Sequence, residues 1–489
     1  MEHKEIILGV DIGSRKVCAI VAELRDGTLR IIGTAHQDSK GIKRGRINSL
    51  SHASSVIKEV IDNAKKMAGL STYDAPNHSS LSFEESPYSS IRKTKAIVSF
   101  SGAYAENTNS AGAASTKDNV VTIDDINRAI KNACAKASLD TNKRILHALP
   151  YRFTLDRQDV NDPLGMSGTR LEVFVHIVYT DNNNVENLEK IMIQPDVEVE
   201  NMVLNSYAAS IATLSNDEKE FGVACIDMGG ETCNLMIYSG DSMRYNQYIP
   251  VGSHHLTTDL SHMLNTPFPH AEELKIKYGD LSESEEESTQ GIQIPTTGSD
   301  GKESHVVPLN EVQRIMKERA LETFRIIHMA IQDSGLQEHL GGGVVLTGGM
   351  TMMKGIKELA KAYFDGFPKT CPVRLATPSE QYNIMGMFED LKDPRFSVAV
   401  GLILYKAGGH TNYEQDSKGI IRYHENSDCI KKPNTNPFPT PQEEPSFIGR
   451  DLSDLQAPIT PKDNKPFLAN PTQKKGLFKT FLDKFSTMF

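Results

Sequence analysis

Two short segments of this chain repeat one arrangement: Asp11-Ile12-Gly13-Ser14 followed by Lys16, and Asp227-Met228-Gly229-Gly230 followed by Thr232. Glycine in such a turn lets backbone N–H groups approach phosphate oxygens, and a nearby cation balances their charge. The aspartates cannot touch phosphate directly, so their use is to hold Mg²⁺ or its waters. Either turn alone is more often an ordinary hairpin than a nucleotide site. Two copies facing one another could clasp a single polyphosphate.

Two further segments add to this set. Gly341-Gly342-Gly343-Val344-Val345-Leu346-Thr347-Gly348-Gly349-Met350 reads as a strand running into a double glycine, then a helix from about Met353. Gly348, Gly349 and Met350 would let backbone pass under a flat base, and the helix N-terminus would favour an anion. The alternative is a plain strand-to-helix turn. Glu272 and Lys275, at i and i+3 in Ala271-Glu272-Glu273-Leu274-Lys275, share a helix face, where such pairs usually serve only as solvated charges.

The elements that must carry these residues alternate strand and helix. Ile6 to Val10, Val17 to Glu23 and Leu29 to Gly33 read as strands joined by tight turns, and Val223 to Asp227 with Leu235 to Tyr238 repeats the unit. Helical periodicity covers Ser54 to Ala68, Ile123 to Ser138, Asn183 to Ile193 and Glu311 to Gln332, so the fold class is α/β. Ser71 to Ile91 and the stretch Leu281 to Glu303, which opens with an acidic run, read as exposed loops. From about Gly408 to Gln473 the composition turns to Pro, Asn, Asp and Lys, too polar to offset the entropy of ordering, which predicts a disordered tether.

With 489 residues the chain should hold three or four domains. A net charge of -10 argues against nucleic acid as a partner. Six cysteines form no CxxC pair, and no signal-peptide pattern opens the chain, which predicts a reduced cytoplasmic protein. No apolar run reaches the roughly 18 residues of a membrane-spanning helix. After the tether, however, Leu477, Phe478, Phe481, Leu482, Phe485, Met488 and Phe489 fall on one helical face, with Lys474, Lys475, Lys479 and Lys484 beside or opposite it. That pattern predicts an amphipathic helix lying in a membrane interface, about 21 Å long and too short to span.

In this order the elements resemble the actin, Hsp70 and sugar-kinase superfamily. The wording of Ile145 to Pro150, Asp162 to Val173 and Asn216 to Val223 is similar to the FtsA family in particular, over roughly residues 5 to 408. The resemblance implies an actin-like two-lobed ATPase fold. Its expected subdivision is 1A over 1–93 and 168–205, an inserted subdomain 1C over 94–167, 2A over 206–265 and 340–408, 2B over 266–339, a disordered linker over 409–473 and the membrane helix over 474–489. It implies ATP with Mg²⁺: Asp11, Gly13, Ser14 and Lys16 as one phosphate loop, Asp227, Gly229, Gly230 and Thr232 as the other, Asp11 and Asp227 toward the metal. Gly348, Gly349 and Met350 would lie against adenosine, with Glu272 and Lys275 reaching the ribose and base.

The implied role is bacterial cell division: a filament on the cytoplasmic face of the inner membrane at the division site, which holds the tubulin-like division GTPase FtsZ and recruits later division proteins. Arg314, Lys317 and Arg325 of 2B could meet an acidic tail of that partner. Two departures from the family's pattern bear on chemistry. Glu231 and Asn234 stand where a third glycine and a later aspartate are usual, and Glu231 puts a carboxylate beside the phosphates unless it turns outward. Asn205 replaces the Glu or Gln that orients the attacking water in related ATPases, so at most weak ATPase activity is expected and no catalytic residue is assigned. A metabolite kinase of the same superfamily would need a base for its substrate hydroxyl, and no motif supplies one.

Overall fold

The computed structural model describes residues 4–70, 94–282, 290–298, 303–365, 371–378, 382–408, 411 and 413–423. The expectations for 71–91, for the acidic run after Ser282, for most of the tether and for the membrane helix lie outside the described residues.

The two aspartate motifs sit in matching frames. In the first lobe the strands lie in the order Val197–Leu204, Thr94–Phe100, Lys4–Ile12, Lys16–Arg25, Thr28–Asp38, with Ile384–Gly386 at the edge. In the second lobe the order is Val373–Leu375, Gly343–Thr347, Val223–Met228, Cys233–Ser239, Ser242–Ile249. Each sheet combines one meander with two strands added in parallel on its far side. The registers match too: Asp11 opposes Cys18, and Asp227 opposes Asn234, seven residues on in both cases. Equal topology and equal register make the duplication structural, which four similar residues alone could not establish.

The lobes join through helices. Ser397 to Tyr405 of the helix Ser397–Ala407 are all buried, against the helix Asn205–Thr213 and the first sheet. Gly401 makes this contact possible, since a Cβ there would stand 1.8 Å from the Ala208 carbonyl oxygen. Close helix packing here requires a residue without a side chain.

A third sheet forms the insert. Its strands are Glu106–Ser115, Arg170–Asp181 and Lys143–Leu155, backed by the helix Ile123–Lys136, whose Thr122 and Asp125 form a capping box. Two expected boundaries are corrected by these pairings. Thr94–Phe100 belongs to the first lobe's sheet, so the insert starts after it, and Arg170–Asp181 is the insert's own strand although it lies beyond 167.

Two expected loops prove partly ordered. Gly291–Pro295 pairs antiparallel with Ser304–Pro308, burying Ile292, Ile294 and Val307 by strict alternation. Likewise, residues 413–423 are not tether: Tyr413–Gln415 and Ile421–Tyr423 extend the insert's sheet beside Lys143–Leu155. What holds them is buried chemistry that low apolar content concealed. Leu204 donates its N–H to His147 Nε2 at 3.1 Å, so Nδ1 carries the proton and donates to the Glu414 carboxylate at 2.7 Å. Tyr405 donates to the same oxygen at 3.0 Å, and Asn201 meets Asp416 and Ser417 at 3.0 and 2.7 Å.

Leaving a buried donor or acceptor without its partner costs roughly 1–3 kcal/mol. A chain ending after Gly408 should therefore unfold at distinctly lower urea concentration than one ending after Tyr423, a difference that denaturant titration of the two truncations measures.

Candidate functional site

Each aspartate motif folds as one tight turn at the end of its sheet. Gly13 donates its N–H to the Lys16 carbonyl at 3.0 Å, and Gly229 donates to the Thr232 carbonyl at 2.8 Å. The turns face each other closely enough that Arg15 of the first crosses Gly230 of the second; a Cβ at Gly230 would stand 2.1 Å from Arg15 Cγ. Gly348, at φ +89°, closes the group, because a Cβ there would approach Asp227 Oδ1 to 2.4 Å.

Both aspartates are buried. Burial raises the Asp11 carboxyl above its usual range, opposed by the charge of Lys16 and by Ser99. Asp227 is pushed up from 3.8 to about 7, first by burial and then by the negative charge of Asp11. Two hard oxygen ligands that repel one another are suited to a shared dication. Among the described residues no cluster of three His, Cys, Asp or Glu side chains forms, so a metal here would complete its shell with water and phosphate oxygens, as Mg²⁺ does. Asn205 opens the helix after strand Val197–Leu204; its Oδ1, like that of Asn234 beside Asp227, is buried without a hydrogen-bond partner.

Glu272 and Lys275 do more than share a helix face. Their ion pair spans 2.8 Å and is largely buried, and Thr257 bonds to both at 2.5 and 2.9 Å. Arg15's charge reaches both, which places them on the side of the paired turns. Met350 is buried in a 3-10 turn, Gly349–Met352, and the following helix begins at Ile356 rather than near Met353, behind Gly355 at φ +78°. Lys16 reaches the Arg395 carbonyl at 2.5 Å and stands 3.8 Å from the Phe396 ring centroid, yet its charge still acts on both aspartates.

Several neighbours of the site escaped sequence reasoning: Arg15, the Arg395-Phe396 corner and the hairpin Ile42–Lys43 with Arg46–Ile47. The hairpin did carry a signal. Arg44 and Gly45 form its two-residue turn with φ of +50° and +72°, the pattern that a Gly at the second turn position favours. Glu231 is buried and accepts the Arg44 N–H, so its carboxylate is engaged by this hairpin. Arg314, proposed for an acidic partner, is held bidentately by Glu311 at 2.6 and 3.1 Å.

The raised pKa of Asp227 fixes a pH dependence. Between about pH 4 and 7 the folded chain keeps a proton that the unfolded chain has released, so this group's stabilisation is present at low pH and is lost as pH rises through 7. Asp227→Asn should therefore melt several degrees above the parent at pH 8, with the gap shrinking at pH 5, as paired thermal melts at the two pH values check.

Comparison with known proteins identifies the family. Residues 224–401, spanning most of the second lobe, match the family "Cell division protein FtsA", and residues 102–179, the insert, match the "SHS2 domain inserted in FTSA". The chain is 71% identical over 501 residues to the cell division protein FtsA of Helicobacter pylori, covering all of both chains. It is 31% identical to that of Pseudomonas aeruginosa, over 83% of this chain and 90% of the relative. Among solved structures the PilM-PilN type IV pilus biogenesis complex matches with a TM-score of 0.54 at 13% identity, over 82% of this chain and 99% of that one, a likeness of fold alone. Full-length similarity, with the lobe and the insert each matched separately, makes this chain an actin-like cell-division protein of the FtsA family.

Proposed function

We propose that the chain binds ATP with Mg²⁺ between the paired turns, polymerises on the inner membrane face and tethers FtsZ there, recruiting later division proteins. The observation that carries the nucleotide reading is the meeting of two equal Asp-Gly turns with both carboxylates buried and raised. Asp11 and Asp227 hold the metal. Gly13 and Gly229 close the two turns with their own N–H groups, which leaves the N–H groups of Ser14, Gly230 and Thr232 for the phosphates, and Lys16 contributes positive charge. Gly348, Gly349 and Met350 back the adenosine, while Glu272 and Lys275, rigidified by Thr257, approach the ribose and base. Mg²⁺ supplies neutralisation of the phosphate charge. Asn205 is too short and too weak a base to activate water well, so the nucleotide is a binding and assembly signal rather than a substrate turned over rapidly.

In calorimetric titration Asp227→Ala should weaken Mg-ATP binding at least tenfold, about 1.4 kcal/mol. Phosphate release by the unaltered chain should stay well below the roughly 10 per second of a median enzyme. Equal affinity of the two proteins would remove the site assignment.

Membrane attachment rests on the sequence of the last residues, Leu477, Phe478, Phe481, Leu482, Phe485 and Phe489 with their flanking lysines, because no helix among the described residues is long and apolar enough to cross a membrane. Such a face in water marks an interaction surface, and its lysines suit anionic headgroups. Full-length protein should sediment with anionic liposomes. Truncation after Gln473, or Phe481→Glu with Phe485→Glu, should leave it in the supernatant; equal pelleting of the truncated chain would place the anchor elsewhere.

A further inference from the structure

The hairpin of residues 42–47 is too small to hold its own shape, with two residues per strand. Its position depends on five contacts from outside. At its tip Gly45 donates its N–H to Ser14 Oγ of the first turn at 2.7 Å, and Arg44 donates its N–H to the Glu231 carboxylate of the second. Tyr248, on the second lobe's strand Ser242–Ile249, donates its hydroxyl to the Arg44 carbonyl at 2.8 Å. On the far side Ile47 donates its N–H to the Tyr104 hydroxyl at 2.7 Å, and Arg46 donates to the Ala103 carbonyl at 2.9 Å. Tyr104 stands at the entrance to the insert, where its own carbonyl accepts from Thr180 of the insert's strand Arg170–Asp181 at 2.8 Å. Six residues thus touch both turns, the second lobe and the root of the insert.

We propose that this hairpin is a strap that couples nucleotide binding to the seating of the insert, with Glu231, Arg44 and Gly45 as positioning residues for the turns. The inference rests on the ATP reading of the site and adds its regulation. A hydroxyl accepts and donates at once, so Ser14, with Gly45 occupying a lone pair, keeps its proton to give to a phosphate oxygen. Polarisation along such a chain strengthens both bonds. Glu231 would repel a phosphate if it were free to turn toward it, and the Arg44 N–H engages it instead. Docking of the strap and binding of phosphate therefore favour each other. By reciprocity phosphate also secures the strap on Tyr104. This gives Glu231 a role that glycine at that position cannot perform.

Gly45→Ala breaks the strap without touching the nucleotide: its φ is +72°, and a Cβ would approach Ser101 Oγ to 2.3 Å. Glu231→Ala removes the acceptor, whereas Glu231→Gln removes the charge but keeps an oxygen for Arg44. With full-length protein and Mg-ATP, calorimetry should show Gly45→Ala and Glu231→Ala binding at least about fivefold more weakly than the parent, and Glu231→Gln binding as tightly or more tightly. Hydrogen exchange of the parent should slow on adding Mg-ATP in 42–47 and also in 101–106. The strap is overturned if Gly45→Ala, shown folded by circular dichroism, binds like the parent, if Glu231→Ala and Glu231→Gln bind alike, or if 101–106 is indifferent to Mg-ATP. Should Gly45→Ala fail to fold, the Glu231 pair decides alone. A parent that binds no Mg-ATP removes the nucleotide reading and the strap together, an outcome distinct from a binding parent with indifferent variants.

Discussion

Asp11 and Asp227 are two carboxylates that share one buried space, and each disfavours the charge of the other. Such an arrangement is costly for a fold to maintain unless something of opposite charge is to lie between them. The surrounding architecture is organised to maintain it. Both lobes end a strand pair in the same turn at the same register, so the carboxylates arrive symmetrically. The glycines beside them are sterically required: Arg15 lies over Gly230 and Asp227 lies over Gly348, leaving no room for a Cβ at either place.

Holding the turns opposed requires a firm junction between lobes, and the helices Ser397–Ala407 and Asn205–Thr213 provide it through the contact at Gly401. Asn205 opens the second of these helices, and Leu204 just before it donates to His147, whose other nitrogen meets Glu414. A line of hydrogen bonds thus joins the start of the helix Asn205–Thr213 to the segment 413–423.

The two departures from the family's usual loop acquire physical meaning in this setting. Glu231 is tied to a backbone N–H of the 42–47 hairpin, which removes the objection that a carboxylate there must oppose phosphate. Asn205 is shorter than a Glu or Gln, and its Oδ1 is buried at the helix start without a hydrogen-bond partner.

The sequence by itself determined the α/β class, the paired turns and the family, because these reside in short-range patterns: an aspartate-glycine turn between apolar runs, or a helical stripe, is complete within about ten residues. It also located Glu272 and Lys275, as a surface pair by spacing and as neighbours of the nucleotide by resemblance. Only the tertiary structure decided that Thr257 bonds to that pair and Arg15 lies within reach of it, that Glu231 is restrained, and that 42–47 bridges the lobes and the insert. The same holds for 413–423, whose polar composition reads as tether because Glu414, Asp416 and Ser417 find their partners in His147 and Asn201, more than 200 residues earlier. A buried polar residue is stabilised by whatever faces it, and what faces it is set by chain topology, which local composition does not encode.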